Sequence, residues 1–293
     1  MTHAQSTTSA TRILAGLLET RSGQQIAPSR FWRIQTALSP VLKTYGIPDL
    51  EALIAVLGEA DTEKLQQLVL EAMLNNESFF FRDTAMFAAL RNRSLRFLHL
   101  RRAKTKTLRI WSAGCSTGQE AYSLAMLIHD DQALWKGWNV EIVASDISHS
   151  VLQQARTGRY SQFEIQRGLS VNHMLRYFRQ DGRDWVIDPE IQAMVSFKQD
   201  NLLRPRADIG RFDLILCRNV LMYFAEESRH AAYSRISKAV APDGLLMLGA
   251  AETASGHTGL FAPVPDLRGM YGLSGSVDHL RVADILGPEV ARP

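Results

Sequence analysis

A chain of 293 residues with 46% apolar and 22% charged residues can bury one large domain, or one medium domain and a small one, which excludes a disordered or fibrous chain. Its net charge of +3 is too small for a general nucleic-acid binder, and two cysteines, Cys115 and Cys217, are too few for a disulfide framework or a structural zinc site. No apolar run reaches membrane-spanning length, and the opening MTHAQSTTSATR lacks the basic-then-apolar layout of a secretory leader, so a cytoplasmic protein without membrane insertion is expected.

The first hundred residues read as helical, because apolar residues recur three and four apart; Leu65, Leu68, Val69, Ala72 and Met73 share one face. Asp49 and Asp61 are expected N-caps. Between Arg82 and Arg109 a basic run (Arg91, Arg93, Arg96, Arg101, Arg102, Lys104, Lys106) faces a single acid, Asp83. Such a run is either a solvated helix face or a docking surface for an acidic partner.

From Leu108 the texture changes. LRIWS, VEIVASD, FDLILC and GLLMLGA are nearly uninterrupted apolar runs, as parallel strands covered on both faces must be. Helical patterns at 120–129, 149–157 and 226–240 fall between them, and this alternation predicts a doubly wound α/β sheet. After Ser170 a helix-like VNHMLRYF precedes DWVID and MVSFKQD, two strand-like runs expected to form an inserted antiparallel ribbon. The histidines His99, His129, His149 and His173 show no metal-ligand spacing, and the last dozen residues are expected to fray.

The most informative stretch is RIWSAGCSTGQEAYSLAMLI, residues 109–128: a strand, a loop of small residues from Ser112 to Gly118, then a helix. Small residues let backbone and helix N-terminus approach a ligand closely, as at the first turn of a nucleotide-binding fold. The next strand ends in Asp146, whose carboxylate can accept both hydroxyls of a ribose or cap a helix. The loop pattern is GxxxG (Gly114 to Gly118) rather than the GxGxxG of nicotinamide enzymes, and Glu120 follows it. A carboxylate there repels a pyrophosphate and suits the sulfonium and ammonium charges of S-adenosylmethionine, which points to a methyltransferase.

With these residues in hand the chain resembles the chemotaxis receptor glutamate methyltransferases, the CheR family. Five segments carry the likeness: NESFFFRD (76–83), WSAGCSTGQEAYSLA (111–125), ASDIS with ARTGRY (144–160), NLL (201–203) and FDLILCRNVLMYF (212–224). The resemblance implies a Rossmann-like methyltransferase domain (91–293), an all-α N-terminal domain (1–90) and a small antiparallel β-subdomain inserted at about 170–200. It implies that Asn76, Ser78 and Arg82 reach the cofactor from the N-terminal side, that Glu120 and Asp146 hold its amino-acid and ribose portions, and that Asn201, Leu202, Arg218 and Asn219 line the rest of the pocket. Where the family commonly has Glu-Glu-Pro this chain has Gln119, Glu120 and Ala121, and Ser78 stands where Thr is common.

The substrate implied is a glutamate on the cytoplasmic domain of a methyl-accepting chemoreceptor. Arg82 and Tyr223 are the candidate catalytic groups, since a guanidinium can orient a carboxylate and a phenol can donate one hydrogen bond. In some relatives the inserted subdomain grips a receptor peptide. The competing readings are a methyltransferase acting on another protein or a small carboxylate, and a non-catalytic module that senses S-adenosylmethionine.

Overall fold

In the computed structural model, residues 9–204, 210–265 and 267–280 are described; the C-terminal dozen expected to fray lie outside them. The chain divides into two units. One comprises the residues up to Asn75 together with Tyr223–Arg229, and the other runs from Asn76 to Met222 and resumes at His230.

The first unit is built on helices Ser9–Ser22, Trp32–Tyr45, Leu50–Leu57 and Glu63–Met73. Leu14, Leu18, Ile34, Leu38, Leu53 and Val69 form its interior. Asp49 caps Leu50–Leu57 as expected, accepting from the Ala52 N–H at 2.8 Å. Asp61 does not cap the next helix: it sits at φ +61°, and Thr62 occupies the N-cap position with its hydroxyl donating back to the Leu57 and Glu59 carbonyls rather than capping the helix. Leu65, Val69 and Met73 face inward, whereas Leu68 turns outward. The Tyr223–Arg229 segment joins this unit through main-chain bonds, Gln25 N–H to the Tyr223 carbonyl at 2.7 Å and Ala225 N–H to the Gly23 carbonyl at 3.3 Å.

The second unit contains the ten strands found among the described residues: β1 (Thr107–Ala113), β2 (Asn139–Asp146), β3 (Arg159–Ser161), β4 (Phe178–Asp181), β5 (Asp184–Ile187), β6 (Val195–Gln199), β7 (Phe212–Leu216), β8 (Val240–Met247), β9 (Phe261–Pro263) and β10 (Met270–Leu273). Seven form one sheet in the order β6-β2-β1-β7-β8-β10-β9, and β3-β5-β4 form a second, antiparallel sheet. The first five strands of the large sheet run parallel, β10 runs against them, and β9 reverses again to pair antiparallel with β10. Chain order leaves β1 first toward β2 and later returns on its other side at β7, so a topological switch lies between β1 and β7. Ligands of such sheets bind outside the carboxyl ends of the strands at that point.

The four apolar runs picked from sequence are β1, β2, β7 and β8, as expected of strands buried on both faces. The expected ribbon is corrected. DWVID, as β5, pairs with Phe178–Asp181 and Arg159–Ser161, while MVSFKQD supplies β6, which joins the large sheet parallel to β2. A short alternating run specifies a strand but not its partner, and β6 is drawn to the β2 edge through Val195, which is buried there. Among the described residues no helix is long and apolar enough to cross a membrane.

Candidate functional site

The loops leaving β1, β2 and β7 meet the segment 76–83, and the sequence explains why. Of the six non-glycine residues with positive φ among the described residues, four (Phe81, Asp83, Ser116 and Asn219) fall in these loops. Backbone held in a sparsely populated region persists only where surrounding bonds over-determine it, and such strain clusters at ligand sites. Here the bonds are visible. Phe81 N–H donates to Ser123 Oγ at 2.9 Å, Ser116 Oγ donates to the Asn76 carbonyl at 2.7 Å, and Asn219 N–H donates to the Glu252 carboxylate at 2.6 Å.

The glycine loop works differently from the expectation. Gly114 and Cys115 both donate their N–H to the Ser145 carbonyl, Ser116 N–H donates to Asp146 Oδ2 at 2.9 Å, and Gly118 N–H returns to the Cys115 carbonyl. These four amides are spent within the protein, which leaves them unable to cradle a phosphate. The glycines answer to conformation and packing instead. Gly114 (φ +77°) would place a Cβ 2.5 Å from Val220 Cγ2, and Gly118 (φ +92°) would crowd Ala155 and Phe197. Both thiols near this region, Cys115 and Cys217, are fully enclosed, and burial pushes each well up, so they stay protonated and inert.

What the loops present are side chains. Asp146 is 8% exposed; its Oδ1 accepts the Ser148 N–H at 3.0 Å while Oδ2 takes that of Ser116, which fixes the carboxylate. Glu120, at the start of helix Gln119–Asp130, accepts the Ser112 hydroxyl at 2.8 Å and the Arg218 guanidinium at 3.0 Å. Arg218 also donates to the Arg82 carbonyl and to Asp83 Oδ2, both at 2.8 Å, and its side chain is 1% exposed. One guanidinium is therefore shared by two carboxylates, with Asp146 a third, and the cluster carries a net negative charge.

Two buried polar atoms in the same loop have no partner in the protein, Arg218 Nε and Asn219 Oδ1. Orphaned donors and acceptors of this kind are expensive unless a ligand completes them. A negatively charged cluster with a fixed carboxylate, beside a loop with four of its amides spent, fits S-adenosylmethionine, cationic and without phosphate, better than a dinucleotide.

The contacts above form two bonded sets, Glu120 with Arg218 and the Arg82 carbonyl, and Asp146 with Ser116 and the Asn76 carbonyl, while Gly114, on the same loop as Ser116, is held by the Ser145 carbonyl. Asn201 and Leu202 follow β6 at the neighbouring strand end: Asp200 N–H donates to the Asp146 carbonyl at 2.9 Å, Asn201 Oδ1 accepts the Leu203 N–H, and Leu202 is buried. Ser78 is half-buried. The Arg82 guanidinium lies over the Phe79 ring at 5.2 Å and donates to the Glu77 carbonyl at 3.3 Å. Tyr223 belongs to the other unit.

Sequence reasoning missed Glu252. Its carboxylate accepts three main-chain N–H groups, from Asn219, Gly249 and Met222, and so sets the loop that carries the orphaned atoms. The one available signal was its place just beyond the carboxyl end of β8, on the side where such sheets bind ligands. The basic run is also corrected. Arg91 makes a two-pronged bond to Asp131, and Arg101 and Arg102 bind Asp243, the latter also Asp213. Its cations are in good part neutralised by acids distant in sequence, so the run as a whole is not a free docking face.

Residues 76–269 match the family model described as CheR methyltransferase, SAM binding domain. Similar proteins include the chemotaxis protein methyltransferase Cher2 of Pseudomonas putida, 35% identical over 82% of this chain and 88% of that protein. Chemotaxis protein methyltransferase 1 of Pseudomonas aeruginosa is 37% identical, over 80% of this chain and 86% of its own. The chemotaxis protein methyltransferase of Vibrio parahaemolyticus is 34% identical over 86% and 92%. The acidic cluster at the β1–β7 switch and these likenesses agree, and the chain belongs to the CheR methyltransferase family, whose cofactor is S-adenosylmethionine.

Proposed function

We propose that the protein forms methyl esters on glutamate side chains in the cytoplasmic domain of a bacterial chemoreceptor. The observation that carries the cofactor half of this reading is the Glu120–Arg218–Asp83 cluster beside the fixed Asp146 carboxylate, with the loop amides already spent. The receptor half is supported by the names of the three relatives above, each a chemotaxis protein methyltransferase matched over most of its length.

When bound, S-adenosylmethionine supplies an electrophilic methyl group on a sulfonium sulfur. Asp146 would hold the ribose hydroxyls, Glu120 with Arg218 the amino-acid end, and Asn76, Ser78, Gly114, Asn201, Leu202 and Asn219 would shape the remaining wall. A glutamate is ionised at neutral pH, with an ordinary pKa of about 4.3, so no residue has to act as a base. The protein's part is to orient the carboxylate and strip its water, and positioning of that kind can supply roughly 7–11 kcal/mol. Arg82 is assigned to that task, its guanidinium being held on Phe79 rather than locked in an acid pair. Tyr223 is assigned to it on its chemistry, a phenol being able to donate one hydrogen bond.

The test is incubation of receptor cytoplasmic fragments with the protein and methyl-labelled cofactor. Label must appear on glutamates and be released by mild alkali, as esters are. Alkali-stable label, or label confined to small molecules, would refute the receptor reading.

A further inference from the structure

The segment 166–177, between β3 and β4, is wrapped around the loop that carries Arg82. Arg167 forms an ion pair with Glu77, and its guanidinium sits 4.4 Å from the centre of the Phe79 ring, which Arg82 also contacts. Gly168 packs so closely that an added Cβ would lie 1.8 Å from the Phe80 carbonyl oxygen, and its φ is +95°. The Phe80 ring meets Tyr160 of β3 and Phe178 of β4 edge-on at 5.0 and 5.4 Å. His173 then stacks flat on Phe81, with ring centres 4.8 Å apart and planes 15° from parallel.

His173 is itself held on every side. It lies on helix Val171–Tyr177, Nε2 is 2.9 Å from Asp130 Oδ2, and Nδ1 is 3.1 Å from the hydroxyl of Ser170, the helix N-cap. Asp130 ends the helix that begins at the glycine loop, an unfavourable place for an acid, and it is stabilised there by the Tyr177 hydroxyl at 2.6 Å and by Arg176 at 2.9 Å as well as by His173. Burial by itself would raise the Asp130 carboxyl, but the bonds from Tyr177 and His173 hold it below its usual value.

Phe81 is the residue that needs a clamp. Its φ of +48° is unfavourable for a bulky side chain, and one residue later the Arg82 carbonyl is fixed by Arg218 at the cofactor cluster. We propose that the inserted segment is a positioning element for methyl transfer, in which His173, braced by Asp130, locks Phe81 and thereby sets the direction of Arg82. The proposal rests on the methyl-transfer function above, and it gives His173 a positioning role through Phe81.

The experiment compares wild type with His173→Ala, with His173→Phe, which keeps a flat ring but loses the acid bond, and with Leu175→Ser on the exposed face of the same helix. Two readouts are taken on each folded protein: amide exchange of residues 79–83 by mass spectrometry, and kcat and KM for methylation of a receptor fragment. The expected result is exchange about fivefold faster in His173→Ala, with kcat down about tenfold or more. In His173→Phe both effects should be reversed by at least half, while Leu175→Ser behaves as wild type. Unchanged exchange, unchanged kcat in spite of faster exchange, or equal loss in the Ala and Phe variants would overturn the proposal. If the exchange pattern holds while no variant, wild type included, esterifies a receptor, the clamp stands as structure and the receptor function is what fails.

Discussion

Replacing Arg218 with methionine is the sharpest perturbation of this molecule, because one side chain ties three segments together. The guanidinium, 1% exposed, donates to Glu120, to Asp83 and to the Arg82 carbonyl. Methionine fills similar volume with no donor, so Glu120, 14% exposed, keeps only the Ser112 hydroxyl, and the loop at Arg82 loses its anchor. Breaking a buried pair from one side costs about 3–5 kcal/mol. Asp83 is 33% exposed, so water screens part of its loss, and the lower end, about 3 kcal/mol, is expected. Urea unfolding followed by circular dichroism measures it as a lower midpoint at unchanged slope. Adding Glu120→Gln, which removes the stranded charge, should restore about 1 kcal/mol or more of that loss. Lysine at position 218 should not substitute, since an ammonium lacks the planar fork that spans three acceptors. A loss below about 1 kcal/mol, the value of an exposed pair, would show that the cluster does not hold the site together.

Asp146→Ala should weaken S-adenosylmethionine binding by about 1.5–3 kcal/mol without unfolding the protein, and calorimetry decides it; wild-type affinity would reduce Asp146 to a brace for Ser116 and Ser148. The same titration with a nicotinamide dinucleotide should show no binding, because the loop amides are occupied. Glu252→Gln should lower cofactor affinity as well, since an amide offers one acceptor oxygen to three N–H donors, and unaltered binding would separate Glu252 from the site. The Arg102 hydrogen bond holds the Asp243 carboxyl down to about 2, helped by Arg101. A depressed folded-state value means stability that is complete above the ordinary aspartate range and lost as pH falls toward about 2, so Asp243→Asn should cost about 2 kcal/mol near neutral pH and progressively less in acid. Urea midpoints for both proteins across that range test it, and a pH-independent difference would refute the assignment.

Much of this protein is local information. Strands β1, β2, β7 and β8 each carry a nearly uninterrupted apolar run, which suits burial on both faces. Asp49 caps its helix by a bond spanning three residues. Glu120 and Asp146 stand out as site candidates because a strand end followed by an acid is a chemical pattern readable from adjacent residues. What pairs with what was not. MVSFKQD reads as a strand in any sheet, and only the packed β2 edge decided that it extends the large sheet rather than the ribbon. Arg91 reads as a free cation until Asp131, 40 residues on, is folded against it. Glu252 reads as a surface acid until the loop at Asn219, 33 residues before it, turns three N–H groups toward its carboxylate. The spent amides of the glycine loop were likewise invisible, since their acceptors, Ser145 and Asp146, arrive from the next strand. Periodicity and propensity act over a few residues and are written in order along the chain, whereas hydrogen-bond and charge partners are chosen by the core that forms around them, which only the tertiary structure sets.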